Sequence, residues 1–341
     1  MWSTIGHEPA LTRLQRAIES GRPAHAYVFA GPEGVGKAAA ALEFAAALNC
    51  TGDAKPCGEC RSCRDTVAGR HPDVEMVAPV GLCDEPDHRD HADSRDLRIC
   101  QVRRLERLIS IAPYAGSYRV AILDAADTLR AESANAFLKT LEEPPAGTVI
   151  ILLVEREERL PETVMSRCQR ITFRRAGRQT VVEALIARGG DAAQAELIAA
   201  AAAGRIGWAF RALEDPSLLS ERKAMLDDAV RIAHAGRVER FNWAKEAEGR
   251  SAEVRERYLR ALDVWEEWWR DVLLAGAGGD AVVNRDREPV LRREGKMYRA
   301  SDIVRFLQAL IQTREHLQAN VDLQLALENL TLDLPVANAT A

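Results

Sequence analysis

Ala26-Tyr27-Val28-Phe29-Ala30-Gly31-Pro32-Glu33-Gly34-Val35-Gly36-Lys37-Ala38 decides how the rest of the chain is read. Its first five residues are an apolar run of the kind that forms a buried strand, and Ala38 to Asn49 is alanine-rich with high helix propensity. Gly31, Gly34 and Gly36 therefore fall at a strand-to-helix turn. In that setting successive backbone N–H groups and the positive end of the helix surround a phosphate, and Lys37 adds a point charge. One position departs from the pattern. A phosphate loop follows its lysine with a Ser or Thr hydroxyl that holds Mg²⁺, and Ala38 has only a methyl group. The stretch reads as a phosphate cradle in which nucleotide and Mg²⁺ binding stay open and metal-assisted hydrolysis is in question.

Downstream, Arg119-Val-Ala-Ile-Leu-Asp124 is an apolar run ending in an acid, as a buried parallel strand does at its carboxyl edge. Asp124 stands where a metal-coordinating acid belongs, although a helix cap or strand-end residue would look the same. Val149 to Val154 is another buried strand, and Ser133 to Glu143 is a helix stopped by Pro144-Pro145. Strand and helix patterns alternate to about residue 175, which predicts a parallel sheet with helices on both faces. After Phe173 the strands give out. Gln179 to Ala203 reads as short helices around Gly189-Gly190, and longer helices follow from about Asp215. Trp265, Trp268 and Trp269 share one helical face, a stripe typical of a core or subunit interface, and Ile303 to Leu330 resumes helix after a loop at Gly276–Gly279. The expected fold is α/β plus all-α: a P-loop α/β domain over 1–175, a small helical domain over 176–214 and a larger helical domain over 215–341.

Four of the seven cysteines, Cys50, Cys57, Cys60 and Cys63, have the spacing of a structural Zn²⁺ site, with free thiols or a redox pair as alternatives. A closed four-sulfur site offers no open position and no catalysis. Cys83, Cys100 and Cys168 lack such spacing and are expected to be ordinary free thiols. Residues 81–98 carry Asp84, Glu85, Asp87, His88, Asp90, His91, Asp93 and Asp96 without apolar periodicity, which predicts a solvated loop with no assigned role. Arg98, Arg103, Arg104 and Arg107 flank an amphipathic helix; a solvated face is favoured over DNA backbone contact. With 341 residues, 47% hydrophobic content and a net charge of −5, the chain has the composition of an ordinary globular protein rather than a free-standing nucleic-acid binder. No apolar run is long enough for a bilayer, no signal pattern opens the chain, and a cytoplasmic protein is expected.

Several stretches resemble the bacterial clamp-loader branch of the AAA+ ATPases: His25-Ala26-Tyr27-Val28-Phe29 before the P-loop, the four-cysteine insert, and His71-Pro72-Asp73. So do Asn135-Ala136-Phe137-Leu138-Lys139-Thr140-Leu141-Glu142-Glu143-Pro144-Pro145, Leu160-Pro161-Glu162-Thr163-Val164-Met165-Ser166-Arg167-Cys168, and Leu323-Gln324-Leu325-Ala326-Leu327-Glu328-Asn329-Leu330. The resemblance covers the whole chain and implies that the cysteines at 50–63 form a zinc module, that 176–214 is a lid and that 215–341 is an oligomerising collar.

The resemblance also implies which stations are altered. Hydrolysing tau/gamma-type members commonly place a water-orienting Glu at the position of Ala125, a γ-phosphate-sensing Thr at Glu155 and a second sensor Arg at Gly207. Only Lys37 and Asp124 keep their types. The arginine of Ser166-Arg167-Cys168, in this family, reaches the ATP site of an adjacent subunit and offsets charge on the transferred phosphoryl group. The implied protein is a degenerate ATPase within a DNA-directed DNA polymerase holoenzyme. Its place is a five-membered ring with tau/gamma and delta subunits that loads the β sliding clamp on primed DNA. The rival readings are an active tau/gamma-type ATPase and a zinc-dependent nucleic-acid-binding module.

Overall fold

The computed structural model describes residues 2–81, 83, 85, 91, 96–129, 131–247, 252–279, 281–318 and 321–337. The chain divides into two compact units, Met1–Ala184 with Gly204–Trp208, and Leu185–Ala203 with Ala209–Ala341.

The first unit runs α1 (Glu8–Glu19), β1 (Ala26–Ala30), α2 (Lys37–Leu48), α3 (Arg61–Val67), β2 (Val74–Val77), α4 (Ile99–Ile109), β3 (Arg119–Leu123), α5 (Ala131–Glu142), β4 (Thr148–Val154), α6 (Glu162–Met165) and β5 (Gln169–Thr172). The five strands form one parallel sheet in the order β2-β3-β4-β1-β5. Central strands of a parallel sheet are covered on both faces, so β1 and β4 are buried at every residue and read as continuous apolar runs. The period of two still sorts their side chains. Ala26, Val28, Ala30, Ile150, Leu152 and Val154 pack toward α4, α5 and α6, whereas Tyr27, Phe29, Val149, Ile151 and Leu153 pack toward α1 and α2. Edge strand β5 is exposed at three of its four residues, with only Ile171 buried.

Helices α7 (Arg178–Ala187) and α9 (Ile206–Glu214) are divided between the units, and α8 (Ala192–Ala202) belongs to the second, which continues with α10 (Ser217–His234), α11 (Arg237–Lys245), α12 (Ala252–Gly276), α13 (Glu288–Met297), α14 (Ala300–Gln318) and α15 (Leu323–Leu332). Its core gathers on the tryptophan face of α12: Trp265 stacks on Trp243 at 4.7 Å, and Trp269 meets Tyr298 and Phe306 edge-on at 5.2 and 5.3 Å. Helices α12 and α13 cross where Gly276 meets Gly295; a Cβ at Gly295 would lie 2.6 Å from the Gly276 nitrogen, so only two glycines allow this approach. The helix expected over Ile303–Leu330 is two helices. Asp322 caps the second by accepting the Leu325 N–H at 2.9 Å, an alternative to helix continuation that short acidic side chains supply. No helix among the described residues is long and apolar enough to cross a membrane.

Candidate functional site

The strand order brings the ends of β3, β4 and β1 side by side, and the residues that follow them line the carboxyl edge of the sheet. After β1 the backbone turns through Gly34 and Gly36 at φ 73° and 105°, left-handed values that favour glycine, and Lys37 opens α2. The turn is braced from two sides. His7 Nε2 donates to the Val35 carbonyl at 2.7 Å, and the Gly207 N–H donates to the Gly34 carbonyl at 2.7 Å. Gly207, expected at a sensor station, thus touches the loop through its backbone; a Cβ there would sit 3.0 Å from the Gly34 oxygen.

Lys37 is 8% exposed and folds back onto the loop, its Nζ donating to the carbonyls of Gly31 at 2.6 Å and Pro32 at 2.8 Å. Burial lowers its pKa, and the charges of Glu155, Asp124, Asp127 and Glu33 pull the other way. Asp124 follows β3; burial raises its pKa, and its Oδ1 accepts the Ala125 N–H at 2.9 Å. Ala125 is left-handed at φ 50°, one of two non-glycine residues in that region among those described. An L-residue there costs about 1–2 kcal/mol. Asp127 accepts the N–H groups of Glu155 and Arg156, both at 3.3 Å, and ties the end of β4 to the turn after β3. Ala38 presents its methyl group in the first turn of α2.

The opposite, amino edge is built differently. At the far end of α2, Asn49 brackets Tyr118: its Oδ1 accepts the Tyr118 N–H and its Nδ2 donates to the Tyr118 carbonyl, each at 2.9 Å. The buried Asp73 carboxylate accepts N–H groups from Tyr114 at 2.7 Å, Ala115 at 2.6 Å and Gly116 at 2.8 Å, and pairs with Arg119 at 3.0 Å. Burial alone would raise its pKa, but these donors and the guanidinium hold it below the usual carboxylate value. The sequence marked His71-Pro72-Asp73 only as a shared motif; its donors lie some forty residues on, beyond any local pattern.

Asn49 leads directly into the four cysteines. The sulfurs of Cys50, Cys57, Cys60 and Cys63 lie within 4.8 Å of one another. Cys50 accepts N–H groups from Gly52 and Cys57 at 3.4 Å, Cys57 accepts from Cys60 at 3.3 Å, and Cys60 accepts from Cys63 at 3.4 Å. Burial opposes the Cys60 thiolate, yet the N–H donors of Cys63 and Thr51 bring it down to about 6, while burial pushes Cys63 up to about 12. Four converging sulfurs with backbone donors aimed at them are the donor set of a closed tetrahedral zinc site.

Arg167 lies on the same amino side. It precedes β5, whose first residue Gln169 pairs with Tyr27 near the start of β1, whereas the phosphate loop follows the end of β1. The strand between them spans about 15 Å at ~3.3 Å per residue, so Arg167 and its own loop occupy opposite edges. Its guanidinium is half-exposed, donating to the Thr163 carbonyl at 2.7 Å and to Glu142 Oε1 at 2.6 Å. Glu142, the last residue of α5, belongs to the Asn135–Pro145 stretch, but nothing local marks it as the partner of an arginine 25 residues on.

Other sequence expectations resolve as follows. Arg104 pairs with Glu75 at 2.8 Å, while Arg103 and Arg107 are exposed. Cys168 is half-buried, and burial pushes its thiol up to about 12. Cys83 and Cys100 are free thiols, as expected, but they lie together with His91, a grouping their sequence spacing does not announce. Asp84, Asp87, His88, Asp90 and Asp93 lie outside the described residues.

A family model described as "DNA polymerase III, delta subunit" matches residues 6–177. Over 323 residues, 94% of each chain, the sequence is 27% identical to DNA polymerase III subunit delta' of Bacillus subtilis (strain 168). It is 37% identical over 170 residues to subunit delta' of Pseudomonas aeruginosa, covering 49% of this chain and 45% of that one. It is 34% identical over 180 residues to the B. subtilis tau subunit, covering 52% of this chain and 30% of tau.

Proposed function

The chain belongs to the delta-prime family of DNA polymerase III clamp-loader subunits, and from that premise we propose that it acts as a non-hydrolysing ring member that lends Arg167 to a neighbour. The carrying observation is the separation of the two edges. Arg167 cannot serve its own phosphate loop from the far end of β1, but a half-exposed guanidinium steadied by Glu142 suits an ATP site on an adjoining tau/gamma subunit. The cis edge supports the same reading. Ala38 provides no Mg²⁺ ligand, Ala125 cannot accept a proton from water, and Lys37 is occupied by the loop's own carbonyls.

In this reading the helical unit joins the collar of a five-membered ring, the ring includes delta, and the assembly places the β clamp on primed DNA in the cytoplasm. Cys50, Cys57, Cys60 and Cys63 would hold Zn²⁺, whose chemistry there is structural: it neutralises thiolates and fixes the chain between α2 and α3. Gly31, Gly34, Gly36, Lys37 and Asp124 would be a vestigial nucleotide site.

The test is the reconstituted clamp loader carrying Arg167→Ala. DNA-stimulated ATP hydrolysis should fall by about 10³-fold at the one affected site, the lower end of what arginine fingers supply. Unchanged site-specific hydrolysis and clamp loading would remove the arginine-finger role. The retained Lys37 and Asp124 favour a second reading, residual ATPase activity. Mutating the P-loop lysines of the partner subunits isolates it: turnover that persists and then disappears with Lys37→Ala would establish that activity.

A further inference from the structure

We propose that Cys83, His91 and Cys100 form a second zinc site, separate from the four-cysteine module. Their ligand atoms lie within 4.8 Å of one another, and His91 Nε2 is 3.2 Å from Cys100 Sγ. Both cysteines are buried, at 5% and 6% exposure, while His91 is half-buried.

The surrounding framework fixes the stretch just after β2 against the start of α4 without help from an ion. Gln101, fully buried in the first turn of α4, donates from Nε2 to the carbonyls of Ala78 at 2.8 Å and Pro79 at 3.2 Å. Its Oε1 accepts the Arg98 N–H at 3.0 Å, closing the helix start. The Leu97 N–H donates to Thr128 Oγ1 at 3.2 Å and fixes the approach to α4 from the other side. Ala78 and Pro79, just after β2, are thereby held beside the α4 N-terminus, where Cys100 sits in the first turn.

Two thiolates and a neutral imidazole are donors that select Zn²⁺ over the hard cations, and together with the ion they sum to zero charge. Three protein donors leave the fourth position to water. The ion would close the long connection between β2 and α4, a segment whose acidic composition gives it little apolar surface to bury. The second site would pin this connection independently of nucleotide or of ring partners.

The experiment is metal analysis of the full chain, purified reduced and passed free of loose metal. About two zinc equivalents are expected, one for each cluster. His91→Gln, the mildest change, and Cys83→Ala/Cys100→Ala should each retain about one, with unchanged far-UV circular dichroism. Cys57→Ser/Cys60→Ser should also retain about one. In a Co²⁺ titration the thiolate charge-transfer band should lose about a third of its intensity in Cys83→Ala/Cys100→Ala, since two of six thiolates go. About one equivalent in the unaltered chain, or two persisting in His91→Gln and in the double variant, overturns the proposal. So does a Cys83–Cys100 disulfide revealed by alkylation before and after reduction.

Discussion

Helix α2 has two ends, and they meet opposite fates. At its N-terminus the glycine turn is intact, but its surroundings are strained: Lys37 turned onto carbonyls, Asp124 raised by burial, Ala125 left-handed. At its C-terminus the polar side chains that join the elements find partners. Asn49 brackets Tyr118, Asp73 takes three N–H groups and a guanidinium, and the cysteines receive backbone donors. Strain and buried charge persist where chemistry has required them, and under the proposed non-hydrolysing role this edge keeps them as an inheritance. The other edge has become a set of fasteners, and Arg167 shares it.

The sharpest way to break this contrast is at the cysteines. Cys57→Ser/Cys60→Ser should lose the ion at that cluster and destabilise the α2–α3 region by on the order of 5 kcal/mol, less than the ~10–16 kcal/mol that organises isolated zinc-finger peptides because α3 also packs on α2. Chelator-dependent thermal unfolding measures it. Asp73→Ala should cost about 3–5 kcal/mol in urea denaturation, since it strands Arg119 and three N–H groups. The pH dependence follows from the depressed pKa. The contribution of Asp73 is fully present above its unfolded value of about 3.9 and is lost as pH falls through the lower folded value; the alanine variant should lack that acid-side slope.

The carboxyl edge should respond with the opposite sign. Ala125→Gly relieves a left-handed residue and should raise stability by about 0.5–1 kcal/mol, the gain being trimmed by the entropy of an unfolded glycine. Asp124→Asn keeps an acceptor for the Ala125 N–H while removing a buried charge, and should raise stability by up to about 1 kcal/mol at neutral pH. Two aspartates in one sheet would then give opposite changes in the same urea assay. Equal losses at both would erase the distinction between the edges.

What could be read beforehand was local. The phosphate loop is a run of consecutive residues with strands and helix to either side, and the cysteine quartet lies within a short span, so spacing alone disclosed both. The strand-end position of Asp124 followed from hydrophobic pattern. The remainder depends on chain reversal. Asp73 meets Tyr114 through Gly116, Arg167 meets Glu142, and Cys83 meets Cys100 only once β2 and α4 are placed. Nothing in an alanine announces a left-handed backbone, so Ala125 was legible as a missing acid but not as a strained turn. The break before α15 was hidden by an apolar period that continues across Asp322.

The tryptophan face of α12 has a spectroscopic consequence. Of the six tryptophans, Trp243, Trp265, Trp268 and Trp269 are buried in the helical unit, whereas Trp2 and Trp208 are half-buried in the other. Intrinsic emission is therefore weighted toward one half of the chain. Cys57→Ser/Cys60→Ser substitution or titration of Asp73 can be followed by circular dichroism while the indole signal stands as an internal control. A red shift in that signal dates the moment at which the helical unit itself lets go.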